Sequence, residues 1–344
     1  MKNKEPKHVG IALQGGGAHG AFAWGVLDRL LEEDNIIADS MCGTSAGAVN
    51  AVTCAYGLHV GGPEKAKELL ESLWKKIAQS GTYLFKPGWF DQFFGNGNMY
   101  NSPGYVMFNT MTQFLSPYHF NPLNYNPLKD ILLDLIDFDD LHKYNKKKIY
   151  ICATNVKTNR AKIFSNNDIS VDSVLASACL PFLFQAVEID GEYYWDGGYM
   201  GNPPIFPLIT GTNIKDIVLV KINSVNIKSV PTTARDISDR VNEISFNSSL
   251  INEIKLIHYR NELLRNGILT IDDKANREIF IHTISGYDAL SQLSYSSKMN
   301  TSWEFLLDLK EKGRQTAEKW LQDEFHLVGK KSTFDIEEHF FDKF

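Results

Sequence analysis

The chain has 344 residues, 43% of them hydrophobic and 22% charged, with a net charge of −6. Such a length and apolar content support a large globular core, and the acidic balance excludes nucleic-acid binding by phosphate neutralisation, which needs a concentrated basic surface. No run approaches the roughly 18 apolar residues of a membrane span, and the charged N-terminus leads into too few apolar residues for a signal peptide. The expectation is a soluble or peripheral cytoplasmic protein, with signal-independent export left open.

In chain order, residues 9–13 (V-G-I-A-L) read as a strand. It runs into Q-G-G-G-A-H-G at 14–20 and then an amphipathic helix over 21–33. A glycine loop at a helix N-terminus presents several backbone N–H groups to one point, where an anion or a developing oxyanion can be held. Residues 35–42 form a second apolar strand, followed by G-T-S-A-G at 43–47 and an Ala-rich helix over 46–58. This strand–turn–helix setting lets a G-x-S-x-G serine, here Ser45, project its hydroxyl from the sheet edge, with Gly43 and Gly47 removing the Cβ atoms that would collide there.

Residues 63–78 continue as a helix with one apolar face. The stretch 81–127 is crowded with aromatic residues, Asn, Gly and Pro, which argues against long regular helices. It suits a mobile apolar cover, although aromatics packed as a small subdomain core are the expectation for most of it. Helix is expected over 127–141, strands over 148–154 and 161–164, and a short helix over 171–177. Gly191 to Gly198 (G-E-Y-Y-W-D-G-G) then places Asp196 at the end of an aromatic strand, with Gly197 and Gly198 making room around it. A further strand covers 216–222. The apolar residues of 234–266, at helical spacing, are expected to pack into the core; lying on a membrane as a basic amphipathic helix is the alternative, which Asp236, Asp239, Glu243 and Glu253 oppose by diluting the positive face. Another strand follows at 278–284, and another amphipathic helix at 301–325.

The glycine loop, Gly-Thr-Ser-Ala-Gly and Asp-Gly-Gly, in this order and joined by A-S-A-C-L-P-F at 176–182, V-E-I-D-G at 187–191 and N-P-P at 202–204, closely resemble the patatin-like phospholipases. The resemblance covers roughly residues 8–225. It implies a three-layer α/β/α sandwich with a mostly parallel sheet, an aromatic loop-rich insertion and C-terminal helices, the residues 226–344 being an extension packed on the same domain. It also implies a serine lipid acyl hydrolase with Ser45 as nucleophile, Asp196 as its base, and the N–H groups of Gly15, Gly16 and Gly17 as oxyanion donors. The substrate would be a lipid ester, met at a transient membrane-surface contact, with no metal and no cofactor. One departure is His19, where the family's loop often carries Arg or Lys.

Other readings compete for these residues. Gly15-x-Gly17-x-x-Gly20 satisfies the dinucleotide fingerprint, but Asp39 lies mid-strand instead of at the strand end where a ribose-binding acid belongs, so no nucleotide cofactor is expected. A Ser-Asp-His esterase of the α/β-hydrolase type would draw on His258, His282 or His326, of which His282 is nearest a strand end. A non-catalytic lipid-binding scaffold would usually have lost one of the three motifs. The acids Asp137, Asp139 and Asp140 beside His142 match no ligand spacing and read as a helix end. The basic run 143–148 reads as a solvated turn before the next strand, with a patch for anionic lipid headgroups as the lesser alternative. Cys42, Cys54, Cys152 and Cys179 read as buried free thiols, suited to a reducing compartment.

Overall fold

The apolar, β-branched runs become strands: β1 (Lys7–Leu13), β2 (Ile36–Thr44), β3 (Lys148–Asn155), β4 (Arg160–Ser165), β5 (Val187–Ile189), β6 (Glu192–Asp196), β7 (Asp216–Lys221) and β8 (Phe280–Ser285). In the computed structural model, which describes residues 5–81, 86–88, 91, 95–144, 146–227, 229–270 and 277–336, they join one sheet along the path β5-β6-β3-β2-β1-β7-β8, with β4 paired to β3. The pairs linking β3, β2, β1, β7 and β8 are parallel. Strands β4, β5 and β6 are antiparallel additions.

The parallel strands are buried on both faces, and their side chains alternate between two cores. Val9, Ile11, Leu13, Val218 and Val220 enter one cluster with Phe22, Trp24, Leu70 and Leu309. Ala12, Ile217 and Leu219 enter the other with Leu208, Leu250, Ile254 and Ile257. The helices that cover these faces are α1 (Gly20–Leu30), α2 (Ala46–Ser80), α3 (Pro127–Leu135), α4 (Val171–Ser177), α5 (Ala234–Arg265) and α6 (Trp303–Asp323). Thus α1, α2 and α6 serve the first core and α5 the second, making the α/β/α sandwich.

Several boundaries differ from the sequence expectation for local reasons. The helices expected at 46–58 and 63–78 are both present and run on longer than expected, meeting at a non-helical break at Gly62 (φ 76°) ahead of Pro63; α2 denotes the two together. The helix expected over 127–141 is two, Pro127–Leu135 and Phe138–Leu141, because the Asp137 carboxylate accepts the Asp140 N–H at 3.0 Å and starts a new turn. Beyond residue 225 the chain is built into the sandwich: β8 pairs with β7, and α6 crosses α1 where Gly25 and Gly313 let the backbones touch.

Helix α5 divides in two. Leu250, Ile254, Ile257 and Leu264 are buried as core packing requires, but Ile237, Val241 and Ile244 are exposed. At about 1.5 Å per residue the helix is far longer than a six-residue strand, so the sheet cannot cover its whole length. Residues 81–127 divide likewise: Met99, Tyr105 and Phe108 are buried, while Met107, Phe114, Tyr118, Leu123 and Tyr125 are exposed. Trp89 and Phe90, which the sequence places in the same cover, lie outside the described residues. No described helix is long and apolar enough to cross a membrane.

Candidate active site

Strand register explains how residues 151 positions apart in sequence come to share one site. On β3, Cys152 pairs with Thr44 of β2 and the next residue, Ala153, pairs with Asp196 of β6. The opposite edge of β3 is filled by β4 over the same residues. Parallel β2 and antiparallel β6 therefore end head to head on one edge of β3. Their next residues, Ser45 and Gly197, turn away from the sheet at one point.

Ser45 holds the sharp turn, with φ 56° and ψ −127°, a conformation rare for a residue with a side chain. What enforces it is packing. A Cβ at Gly43 would strike the Gly47 carbonyl, and one at Gly47 would strike the Leu13 carbonyl, so neither glycine is replaceable without moving backbone. The Ser45 N–H donates to Ser177 Oγ at the end of α4 (3.0 Å), and Ser45 is buried.

Asp196 is fully buried. Its N–H donates to the Cys179 carbonyl (2.7 Å), its own carbonyl accepts from Thr154 Oγ1 (2.8 Å), and Oδ1 accepts the Gly198 N–H (2.8 Å). Oδ2 has no hydrogen-bond partner among the described residues. Burial pushes the carboxyl up to about 7, opposed by the Gly198 N–H and by the nearby Ser45 hydroxyl, both of which favour the charged form.

The glycine loop leaves β1 beside the elbow. A Cβ on Gly15 would stand 2.7 Å from Ser45 Cβ and 2.5 Å from the Thr44 carbonyl, so the loop lies against the nucleophile. The Gly15 N–H is already given to Asn202 Oδ1 (2.6 Å), which leaves the N–H groups of Gly16 and Gly17 as oxyanion candidates. Gly17 takes a positive φ of 58° against the Lys298 carbonyl.

A buried amide network fixes this loop, and sequence reasoning missed it. Gln14 Oε1 accepts from the N–H groups of Ile222 (2.8 Å) and Asn223 (2.9 Å), while its amide donates to Asn247 Oδ1 (3.1 Å). Asn223 Nδ2 donates to the Gly15 carbonyl (2.8 Å) and its oxygen accepts from Lys298 Nζ (2.7 Å). Lys298, half-buried, makes no salt bridge among the described residues; burial lowers its ammonium pKa, against the pull of Glu243 and Asp239. Asn202 was visible only as part of N-P-P. Asn223 and Asn247 stood as isolated polar residues among apolar ones, which is a faint signal, and Lys298 gave none.

His19 is buried, with Nε2 2.7 Å from Ser297 Oγ, and burial together with the Lys298 and Lys312 charges holds the imidazole down to about 3. It is neutral at physiological pH, so the loop's nearby positive charge comes from Lys298. The other histidine of interest, His282, is mid-strand and not at a strand end. Its Nε2 meets Asp216 Oδ1 at 2.9 Å, and Asp216 is the first residue of β7, at the edge of the parallel sheet opposite Ser45. Asp39, the acid of the dinucleotide reading, meets His8 at 2.8 Å near the start of β1, also away from the loop.

The chain is similar to VipD from Legionella pneumophila, at 15% identity over 98% of this chain and 73% of that one, with a TM-score of 0.44. It is also similar to the complex of full-length SpcU with full-length ExoU from the type III secretion system of Pseudomonas aeruginosa, at 16% identity over 93% of this chain and 54% of that one, with a TM-score of 0.34. No curated protein matches it. The family model described as patatin-like phospholipase matches residues 11–209, more than half the chain and the whole span from glycine loop to Asp-Gly-Gly. The chain belongs to the patatin-like phospholipase family and is a lipid acyl hydrolase.

Proposed function

We propose that Ser45 and Asp196 are the nucleophile and general base of this hydrolase. The observation that carries the reading is the register on β3, which ends β2 and β6 head to head and sets beside the serine turn a buried carboxylate oxygen with no hydrogen-bond partner among the described residues. Asp196 takes the Ser45 proton as Oγ attacks the ester carbonyl, and the Gly16 and Gly17 N–H groups receive the oxyanion. Collapse expels the alcohol, which leaves with the proton from Asp196. Water, deprotonated by the same carboxylate, then frees the fatty acid and restores Ser45.

The substrate proposed is a carboxylic ester of a phospholipid or related lipid. Residues 8–225 form the catalytic unit, and 226–344 buttress its loop through Asn247 and Lys298. The four cysteines, free and buried, support a cytoplasmic, reducing setting; recovery of the native protein only from oxidising compartments on cell fractionation would remove that reading. The function is tested with esters of varied chain length and headgroup. Wild type should turn over at least one class, and Ser45→Ala should lose about 10⁴-fold or more in rate. Equal turnover by both proteins sinks the assignment.

A further inference from the structure

We infer that residues 95–128 form a docking arm for an electrically neutral, zwitterionic lipid surface; this deepens the hydrolase reading and rests on it. The first observation is chemical. The stretch contains no Asp, Glu, Lys or Arg, in a chain that is 22% charged. It is rich instead in Phe, Tyr, Met, Leu and Asn.

The second observation is exposure. Leu123 is 91% exposed and Phe114 80%, with Met107, Tyr118 and Tyr125 also exposed, and Phe182 of the neighbouring turn stands out at 66%. Single exposed apolar residues are ordinary, but a concentration of them on one charge-free arm marks an interaction surface. These side chains are not a core awaiting closure, because the arm has its own footing. Met99, Tyr105 and Phe108 are buried, and Phe108 meets Phe120 edge to face at 6.4 Å.

The third observation is where the arm is fastened. At its start, the Met99 N–H donates to Ser296 Oγ (2.9 Å) and Asn98 Oδ1 accepts from the Ser294 N–H (2.7 Å), next to Ser297, which bonds His19 of the glycine loop. At its far end, Gln185 Nε2 donates to the Asn121 carbonyl (2.9 Å) and the Ala186 N–H to the Tyr118 hydroxyl (3.3 Å), in the segment that follows Cys179, the acceptor of the Asp196 N–H. One foot stands on the oxyanion side of Ser45 and the other on the acid side. A surface seated on the arm is thereby held at the end of the sheet where the ester must enter.

Charge selects the partner. Docking to an anionic leaflet works through Lys and Arg held within a Debye length of the headgroups, and the arm has none to offer. Aromatic rings and leucines with interspersed amides suit the headgroup–acyl boundary of a zwitterionic surface, where rings bury their bodies and keep polar tips wet.

The test uses the full chain as Ser45→Ala, so that lipid is not consumed, in sedimentation with phosphatidylcholine vesicles at low and high salt and with added anionic lipid. Binding should occur on phosphatidylcholine alone and be insensitive to salt and to anionic lipid. Phe114→Ser with Leu123→Ser should weaken it about tenfold or more with an unchanged Tm, since both side chains are exposed. In the otherwise native chain the same pair should slow turnover of vesicles while leaving a soluble short-chain ester unaffected. Binding that needs anionic lipid and fails at high salt overturns the proposal. So does binding indifferent to the arm, or a lipid-free dimer that the double variant dissolves. If vesicles bind as expected but no ester is ever cleaved, the hydrolase assignment fails and the docking surface stands.

Discussion

Two buried aspartates stand at opposite ends of the same sheet, and they are treated differently. Asp216 Oδ1 accepts from both the His282 imidazole (2.9 Å) and the Gly329 N–H (2.6 Å). Asp196 is as deeply buried but has one oxygen bonded to Gly198 and the other left without a hydrogen-bond partner among the described residues, and its carboxyl is pushed up to about 7. On the proposed reading the first acid ties elements of the fold together through its two donors, and the second keeps an oxygen open for proton transfer, at a cost to the fold. The pair with histidine looks more like familiar catalytic machinery, yet it is the one on the wrong edge.

The largest effect that tests this contrast is Asp196→Asn, which keeps the shape and removes the base. Turnover should fall about 10⁴-fold or more. Stability should move the other way. The Asp196 carboxyl is raised in the folded state above its ordinary value of 3.8, so folding favours its protonated form. That stabilisation is complete below pH 3.8 and is lost as pH rises through about 7. Asn escapes the penalty, and the Tm difference between variant and wild type should grow in the variant's favour between pH 4 and 8. A variant that melts lower at pH 8 would place Asp196 with Asp216 as a structural acid.

The wild-type pH profile is the next lever. With the base half ionised near pH 7, kcat/KM should approach a tenfold drop per unit well below it, a fall of roughly 50-fold between pH 7 and 5. His19 cannot supply this limb, because its imidazole sits near 3. A flat profile down to pH 5 on a soluble ester would mean that the working carboxylate is not the buried one.

Much of this was legible in the sequence. The alternating and apolar runs marked the parallel strands, and the order of glycine loop, G-T-S-A-G and D-G-G singled out Ser45 and Asp196 as candidates because each motif owes its residues to a local steric demand, as Gly43 and Gly47 do against their neighbours' carbonyls. What stayed hidden depends on long-range register. Nothing local says that Asn202 takes the Gly15 N–H and so removes it from the oxyanion donors, or that Lys298 reaches the loop through Asn223. The split of α5 into a packed and a bare half was also out of reach, since periodicity reports an apolar stripe and not how far the sheet extends beneath it.

Lys298 provides a smaller effect on the functional side of the comparison. Lys298→Met keeps the stem but removes the charge and leaves Asn223 Oδ1 without that donor, loosening the grip on the Gly15 carbonyl. We expect kcat to fall about tenfold with KM nearly unchanged, because a positioned loop matters more to the oxyanion than to the ground-state ester. Lys298→Arg, which retains the donor and the charge, should recover part of the loss. A rise in KM alone would count against a positioning role.

The smallest effect on chemistry is expected at the other aspartate. His282→Ala empties a fully buried site where the ring lies edge to face on Trp320 at 6.3 Å, and it strips one donor from Asp216. Cavity and lost hydrogen bond together should cost roughly 2–4 kcal/mol of stability, visible as a lower Tm and an earlier denaturant midpoint. The protein that remains folded should hydrolyse ester within about threefold of wild type, since the lesion lies at the start of β7 and the middle of β8 and the loops carrying Ser45, Gly16 and Gly17 leave the C-terminal ends of β2 and β1. Activity must therefore be normalised to folded protein, measured at a temperature well below the variant's Tm. If His282→Ala were as inactive as Asp196→Asn while still fully folded, the histidine would belong to the catalytic machinery, and the division of labour between the two aspartates would be wrong.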